Sequence, residues 1–189
     1  VPGDKSISIR ALLISSVCLG NTKITNLLES DDVLNTFKSL KNLGIKISKR
    51  QNFYEVYGNG GFFCSPKKNL FLGNSGTGLR LLIGLLSTRK VEASFTGDKS
   101  LSVRPMMRII EPLLKMNSSI EHNSGYLPIK IFKNNAFPIP INYSLKIGSA
   151  QVKSAVLLAA LNIKGTTKIK EKFPSRDHTE ILLEFLGAK

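Results

Sequence analysis

Three segments place glycine and small hydroxyl residues, with polar or cationic side chains among them, just ahead of an apolar run: Gly3-Asp4-Lys5-Ser6, Gly73-Asn74-Ser75-Gly76-Thr77-Gly78 and Gly148-Ser149-Ala150-Gln151. If each run folds as a helix, its first N–H groups are unpaired and lie at the positive end of the helix dipole, so such a start attracts oxyanions. Glycine lets backbone donors come close, and a hydroxyl or cation completes the shell. A second set of runs opens near Asp31, Arg104 and Arg176, two of them bringing a guanidinium, and Arg10 lies one helical turn beyond Ser6. The chemistry these residues suit is the binding of small, multiply charged phosphates and carboxylates.

Taken singly, each residue has a plainer role. Ser6, Thr77 and Ser149 read as helix N-caps, Gly76 and Gly78 as shapers of a tight turn, and Lys5, Arg10, Arg104 and Arg176 as surface cations. Their recurrence at corresponding points of a repeat is what favours an anion site.

The elements that would position them follow from periodicity. Apolar helical stretches run over Ser6–Leu19, Thr77–Leu86 and Ala150–Leu161, each followed by a β-branched run, at Thr22–Leu27, Val91–Thr96 and Thr166–Glu171. Second helices are expected at Asp31–Leu43, Val103–Met116 and Asp177–Leu186, the last with Asp177 and Glu180 as a capping-box pair. Their starts, near 31, 104 and 176, are 73 and 72 residues apart. Two of them lead into paired strands, Ile45–Lys49 with Phe53–Tyr57 and Ser119–His122 with Leu127–Phe132. A period of about 72 residues exceeds a solenoid unit of 20 to 50 and suits a small α/β unit that must pack against its copies. The expectation is one domain of three pseudo-repeats, about 1–60, 61–135 and 136–189, the third cut short at Gly187-Ala188-Lys189.

Composition narrows the classes. The 189 residues are 42% hydrophobic and 21% charged, with no stretch approaching a membrane span. Cys18 and Cys64, 46 apart, suit neither a disulfide framework nor a zinc finger, so a reducing cytoplasm is expected. A net charge of +14 favours anionic partners. Much of the excess falls in strand-like alternation, as at Lys164, Lys168, Lys170 and Lys172, which reads as a solvated face. Basic clusters interleaved with stacking aromatics are lacking, which argues against nucleic acid. Gly58-Asn59-Gly60-Gly61 reads as a hairpin turn, and Gly3-Asp4-Lys5-Ser6 departs from a phosphate loop because Asp4 interrupts it. His122 and His178 have no nearby nucleophile or metal partner in sequence and are expected to be structural. The sequence opens on Val1 with no leader in view, so a piece of a longer protein is expected.

Five motifs, in order, carry a resemblance: Pro2-Gly3-Asp4-Lys5-Ser6-Ile7-Ser8-Ile9-Arg10, Gly73-Asn74-Ser75-Gly76-Thr77-Gly78-Leu79-Arg80, Arg104-Pro105-Met106, Ser149-Ala150-Gln151-Val152-Lys153-Ser154-Ala155 and Ser175-Arg176-Asp177-His178-Thr179-Glu180. Together they resemble the N-terminal half of the EPSP synthase (5-enolpyruvylshikimate 3-phosphate synthase) family, whose members are roughly twice this length. The resemblance implies an α/β (α+β) fold, one domain of three βαββαβ-type units forming half of an inside-out α/β barrel. It implies transfer of the enolpyruvyl group of phosphoenolpyruvate to the 5-hydroxyl of shikimate 3-phosphate, in aromatic amino acid biosynthesis, with no metal or organic cofactor. It also implies, as partners, the two substrates and a second domain holding the acid and base residues, but neither nucleic acid nor membrane. The chain alone is expected not to turn over.

By matching motifs, the resemblance gives Lys5 contact with both substrates and sets Ser6 and Arg10 at the shikimate carboxylate and hydroxyls. Ser149, Ala150 and Arg176 would hold shikimate 3-phosphate, Gln151 would lie between the ligands, and Gly76 with Arg104 would hold the phosphate of phosphoenolpyruvate. Arg176 stands where other family forms have tyrosine, as in the glyphosate-tolerant subgroup, yet Gly76 is glycine where that subgroup carries alanine. The expectation is a glyphosate-sensitive enzyme.

Three rivals stand against this reading. The sister transferase acting on UDP-N-acetylglucosamine shares the fold, but its helix-start pattern lacks Lys-Ser followed by Arg at this spacing, and no candidate for its catalytic cysteine is found. A basic RNA-binding protein would show binding that falls steeply with salt. A non-catalytic scaffold is poorly supported by intact Lys5, Arg104 and Gln151.

Overall fold

A computed structural model describes residues 3–133 and 136–188. Pro2, which opens the first motif, and Lys189 lie outside the described residues. Helix α1 (Lys5–Val17) leads into β1 (Leu19–Thr25), α2 (Asp31–Asn42) and the strands β2 (Lys46–Lys49) and β3 (Phe53–Asn59). Then come β4 (Leu70–Phe71), α3 (Gly76–Ser87), β5 (Ala93–Thr96), the short α4 (Lys99–Ser102), α5 (Met107–Lys115), β6 (Ile120–Asn123) and β7 (Tyr126–Ile131). The last group is β8 (Asn142–Leu145), α6 (Ala150–Ala160), β9 (Lys168–Glu171) and α7 (His178–Phe185).

Three sheets result, with strand orders β1-β3-β2, β4-β5-β7-β6 and β8-β9. Strand β3 pairs antiparallel with β1 and β2, as β7 does with β5 and β6, while β4 runs parallel to β5 and β8 parallel to β9. The first sheet thus has the order of the last three strands of the second, and the third matches that sheet's parallel pair.

Helices α1, α3 and α6 make the inner layer. Nearly every residue of α3 is buried, which explains why its sequence is apolar all round rather than striped. It lies against α6 at Gly84, where an added Cβ would come within 2.4 Å of the Ala155 carbonyl oxygen, so only glycine lets the two backbones approach this closely. Leu12, Leu82, Phe95, Ile110, Val156 and their neighbours fill the core, all wholly buried.

Several boundaries differ from the sequence reading. The helix expected over Val103–Met116 begins only at Met107, because Pro105 disfavours helical geometry at Arg104 and the chain turns before α5; the short α4 lies ahead of the expected range. Helix α1 ends at Val17, where Cys18 caps it, and strand β1 starts at Leu19. Strand β1 stops at Thr25 because Asn26 turns left-handed, with φ of 55°. Gly58 and Asn59 continue β3 opposite Gly20 and Leu19 instead of forming a hairpin turn. Strands β4 and β8 carried no periodic signal, being two residues long and shadowed by Pro138 and Pro140 respectively.

Candidate functional site

The starts of α1, α3 and α6 converge, but their caps are not all the residues expected. Asp4, not Ser6, caps α1, its Oδ1 accepting from the Ile7 N–H at 2.8 Å. Ser75, not Thr77, caps α3, accepting from the Gly78 N–H at 3.1 Å. Ser149 does cap α6, accepting from the Val152 N–H at 3.4 Å. Capping by Asp4 and Ser75 leaves the Ser6 and Thr77 hydroxyls for other partners.

Between these starts lies a cleft of about 340 Å³ lined by Lys5, Asp32, Asn74, Gly76, Thr77, Arg80, Arg104 and Gln151. Four expected site residues, Lys5, Gly76, Arg104 and Gln151, therefore share one concave space. Its lining carries three cations against the single carboxylate of Asp32, which sits 2.8 Å from Lys5 Nζ.

The guanidiniums of Arg80 and Arg104 aim at one point. A Cβ on Gly76 would stand 2.9 Å from Arg80 Nη1 and 3.2 Å from Arg104 Nη1. Arg80 Nη1 donates to Gln151 Oε1 at 2.8 Å, and Gln151 Nε2 donates to the Thr77 hydroxyl at 2.9 Å, so the glutamine amide is fixed by α3. Arg104 lies in the turn before α5 and not at a helix start; its Nη2 donates to Asn74 Oδ1 and to the Ser100 hydroxyl. Burial holds the Arg80 guanidinium below its ordinary pKa, and the charges of Arg104 and Arg108 act the same way. An anion placed between Arg80 and Arg104 relieves that repulsion.

The other expected residues form a flank rather than the cleft's lining. Arg10 is 3% exposed and ties three helices together: Nε donates to the Thr179 hydroxyl at 2.7 Å, Nη2 to the Ser154 hydroxyl at 3.0 Å and Nη1 to the Ser6 carbonyl at 3.0 Å. Three of its five donors are thus engaged within the protein. Burial is the main force lowering its pKa, with Glu180 opposing and the charge of Arg176 adding to the fall, which places Arg176 within electrostatic reach. Arg176 itself is exposed just before α7, Ser6 and Ala150 are half-buried, and Ser149 keeps its own hydroxyl proton free for a ligand.

Arg176 follows Ser175, which is held by a part-buried ion cluster. Lys153 Nζ lies 2.7 Å from both Glu171 and Glu180 and donates to the Ser175 carbonyl at 3.4 Å, while the Ser175 hydroxyl donates to Glu171 Oε1 at 2.5 Å. Glu180 therefore serves Lys153 and not a capping box, and Asp177 caps α7 by position without a side-chain bond. His122 is structural: its Nδ1 accepts from the Gly125 N–H at 2.9 Å in the β6–β7 turn.

Sequence reading missed Arg80, Asp32, Asn74 and Thr77 as cleft residues. Arg80 had a usable signal, since it lies one helical turn after Gly76 and so shares its face. Asp32 had none, because its meeting with Lys5 is a tertiary contact between α1 and α2. No group of three or more metal-ligating side chains is found among the described residues, and no described helix is long and apolar enough to cross a membrane.

The sequence matches the family model for EPSP synthase (3-phosphoshikimate 1-carboxyvinyltransferase) over residues 1–189. It is 48% identical over 190 residues to the 3-phosphoshikimate 1-carboxyvinyltransferase of Ruthia magnifica subsp. Calyptogena magnifica, covering 100% of this chain and 43% of that protein. It is 47% identical over 191 residues to that of Leuconostoc citreum, covering 100% of this chain and 44% of that protein. The EPSP synthase structure from Acinetobacter baumannii superimposes with a TM-score of 0.94 at 39% identity, over 100% of this chain and 43% of the other. The chain thus spans less than half the length of these relatives. With the five motifs and the cleft they build, these likenesses show that the chain belongs to the EPSP synthase family.

Proposed function

We propose that the protein carrying this chain transfers the enolpyruvyl group of phosphoenolpyruvate to the 5-hydroxyl of shikimate 3-phosphate, releasing phosphate, in the cytoplasm and without metal or organic cofactor. The observation that carries this reading is the convergence of Lys5, Arg80, Arg104 and Gln151 on one cleft at the starts of α1, α3 and α6. Bringing two multiply charged anions together requires cations that offset their repulsion, and the cleft supplies them in fixed positions.

In this reading Arg104, the backbone at Gly76 and the newly recognised Arg80 hold the phosphate of phosphoenolpyruvate. Ser149, the backbone at Ala150 and Arg176 hold the phosphate of shikimate 3-phosphate. Ser6 and the remaining donors of Arg10 meet its carboxylate and hydroxyls, with Gln151 between the two ligands and Lys5 reaching both. The chain would be one domain of three pseudo-repeats, about 1–60, 61–135 and 136–189. Acid and base residues come from a second domain, without which substrates bind but do not react.

The test is phosphate release from the two substrates by the intact protein. Lys5→Met and Arg104→Met should each lower kcat/KM by about 10- to 100-fold, the loss expected for one charge-assisted contact. Turnover by both variants at the unmodified rate would refute the reading, and so would the absence of phosphate release from the intact protein.

A further inference from the structure

Arg104 lines the cleft from the turn that follows α4, and one terminal nitrogen of its guanidinium does the work of holding it there. Nη2 donates to Asn74 Oδ1 and, at 3.2 Å, to the Ser100 hydroxyl, so both of its N–H groups are engaged. Nη1 is the nitrogen that lies beside Gly76, where a Cβ would stand 3.2 Å away, and its two N–H groups are left for a ligand.

The two acceptors sit on segments tied to each other. Asp98 caps α4, its Oδ1 accepting from the Leu101 N–H at 2.7 Å, and its own N–H donates to the Gly73 carbonyl at 2.9 Å. That bond joins α4 to the segment carrying Asn74, and the Leu72 N–H, donating to the Thr96 carbonyl at 2.9 Å, joins the same segments one step earlier. At Gly97 a Cβ would stand 2.9 Å from the Gly73 carbonyl oxygen, so glycine lets the segments lie this close. Leu101, wholly buried, fixes α4 to the core, and Ser100 is exposed on it.

Both acceptors are also neutral. Among the described residues no carboxylate stands within ion-pair distance of Arg104, and the acid lining the cleft, Asp32, is paired with Lys5. A neutral acceptor fixes a guanidinium without cancelling its charge, whereas a carboxylate would do both.

We propose that Ser100 is a positioning residue: with Asn74 it holds Nη2 of Arg104, so that Nη1 meets the phosphate of phosphoenolpyruvate with its charge undiminished. The inference rests on the assignment of Arg104 to that phosphate and extends it to a side chain outside the cleft's lining.

Steady-state phosphate release by the intact protein tests it. Ser100→Ala, a change at an exposed site, should fold as the parent does and raise KM for phosphoenolpyruvate about threefold, with kcat and KM for shikimate 3-phosphate unchanged. Ser100→Thr keeps the hydroxyl and should restore the parent KM. Ser100→Asp should raise it about tenfold, because its carboxylate offsets the charge the phosphate needs. In an Arg104→Met background Ser100→Ala should add nothing, since its effect passes through the guanidinium. A parent-like KM in Ser100→Ala, a KM for shikimate 3-phosphate that rises in step, tighter phosphoenolpyruvate binding in Ser100→Asp, or a full further loss in the Arg104→Met background would each overturn the inference and leave the assignment of Arg104 standing. A KM for phosphoenolpyruvate unchanged in Arg104→Met would overturn that assignment and the inference with it.

Discussion

Lys5 Nζ and the Asp32 carboxylate stand 2.8 Å apart across the junction of α1 and α2, at the wall of the cationic cleft. Lys5 keeps 49% of its side-chain exposure, so the pair is worth little, within about 1 kcal/mol. A phosphate arriving in the cleft can therefore draw the ammonium away at small cost. Asp32 sets the resting position of the lysine and tempers the charge of an otherwise cationic wall.

Asp32→Asn should accordingly leave stability within about 1 kcal/mol of the parent, while phosphoenolpyruvate binds about threefold more tightly. Lys5→Met should weaken the same binding about tenfold. Calorimetric titration of both variants checks the pair, and weaker binding by Asp32→Asn would show that the carboxylate contacts the ligand rather than competing with it.

Gly76 faces the two converging guanidiniums. In Gly76→Ala the new methyl must displace Arg80 Nη1, 2.9 Å away, and crowd Arg104 Nη1 at 3.2 Å. Affinity for phosphoenolpyruvate should fall several-fold, with shikimate 3-phosphate little affected because the groups proposed to hold its phosphate lie on the α6–α7 flank. On the proposed reading, the missing methyl would leave room for an inhibitor longer than the substrate. The intact enzyme should be glyphosate-sensitive and Gly76→Ala tolerant; inhibition curves that coincide for the two would contradict this.

Much of this arrangement was legible in the sequence because it rests on local rules. Helix starts announce themselves by glycine and hydroxyl residues, and the starts of α3 and α6 at Gly76 and Ala150 fall within a residue of the periodic reading. What was not legible is tertiary. Ser6 and Thr77 lie inside their helices and do not cap them, because Asp4 and Ser75, immediately before the first helical residues, accept from the free donors. Arg10 reads as a surface or ligand cation until α6 and α7 are folded over it. Glu180 has the spacing of a capping box, yet an ion pair with Lys153 outcompetes that local bond. Asp32 gains its meaning only from a neighbour distant in sequence.

The Lys153 cluster should dominate the stability of the α6–α7 corner. Burial works to lower the Lys153 pKa, but the hydrogen bonds of Glu171 and Glu180 outweigh it and the net shift is upward. Burial likewise works to raise Glu171, and Lys153 with Ser175 outweighs it, so that its pKa falls below the ordinary 4.5. The carboxylate's contribution is present above that value and lost as pH falls through the lowered one. The lysine's contribution is present below 10.5 and lost as pH rises past the raised one. Thermal unfolding should thus show a plateau between these limits and a decline on either side.

Lys153→Met should cost about 3 kcal/mol at neutral pH, since it strands Glu171, and part of that loss should return as pH falls and Glu171 protonates. A pH-independent loss, read by denaturant unfolding at two pH values, would show that the cluster is not the cause.

The claim on which the account rests is that the starts of α1, α3 and α6, with the flank beside them, form one receptor for phosphorylated acids. Following backbone amide resonances while shikimate 3-phosphate is added to the protein tests it most directly. Saturable shifts are expected at Ser6, Ser149, Ala150, Gln151 and Arg176, reached at a common ligand concentration. Shifts confined to the outer sheets, or none at concentrations far above those of a specific ligand, would contradict it.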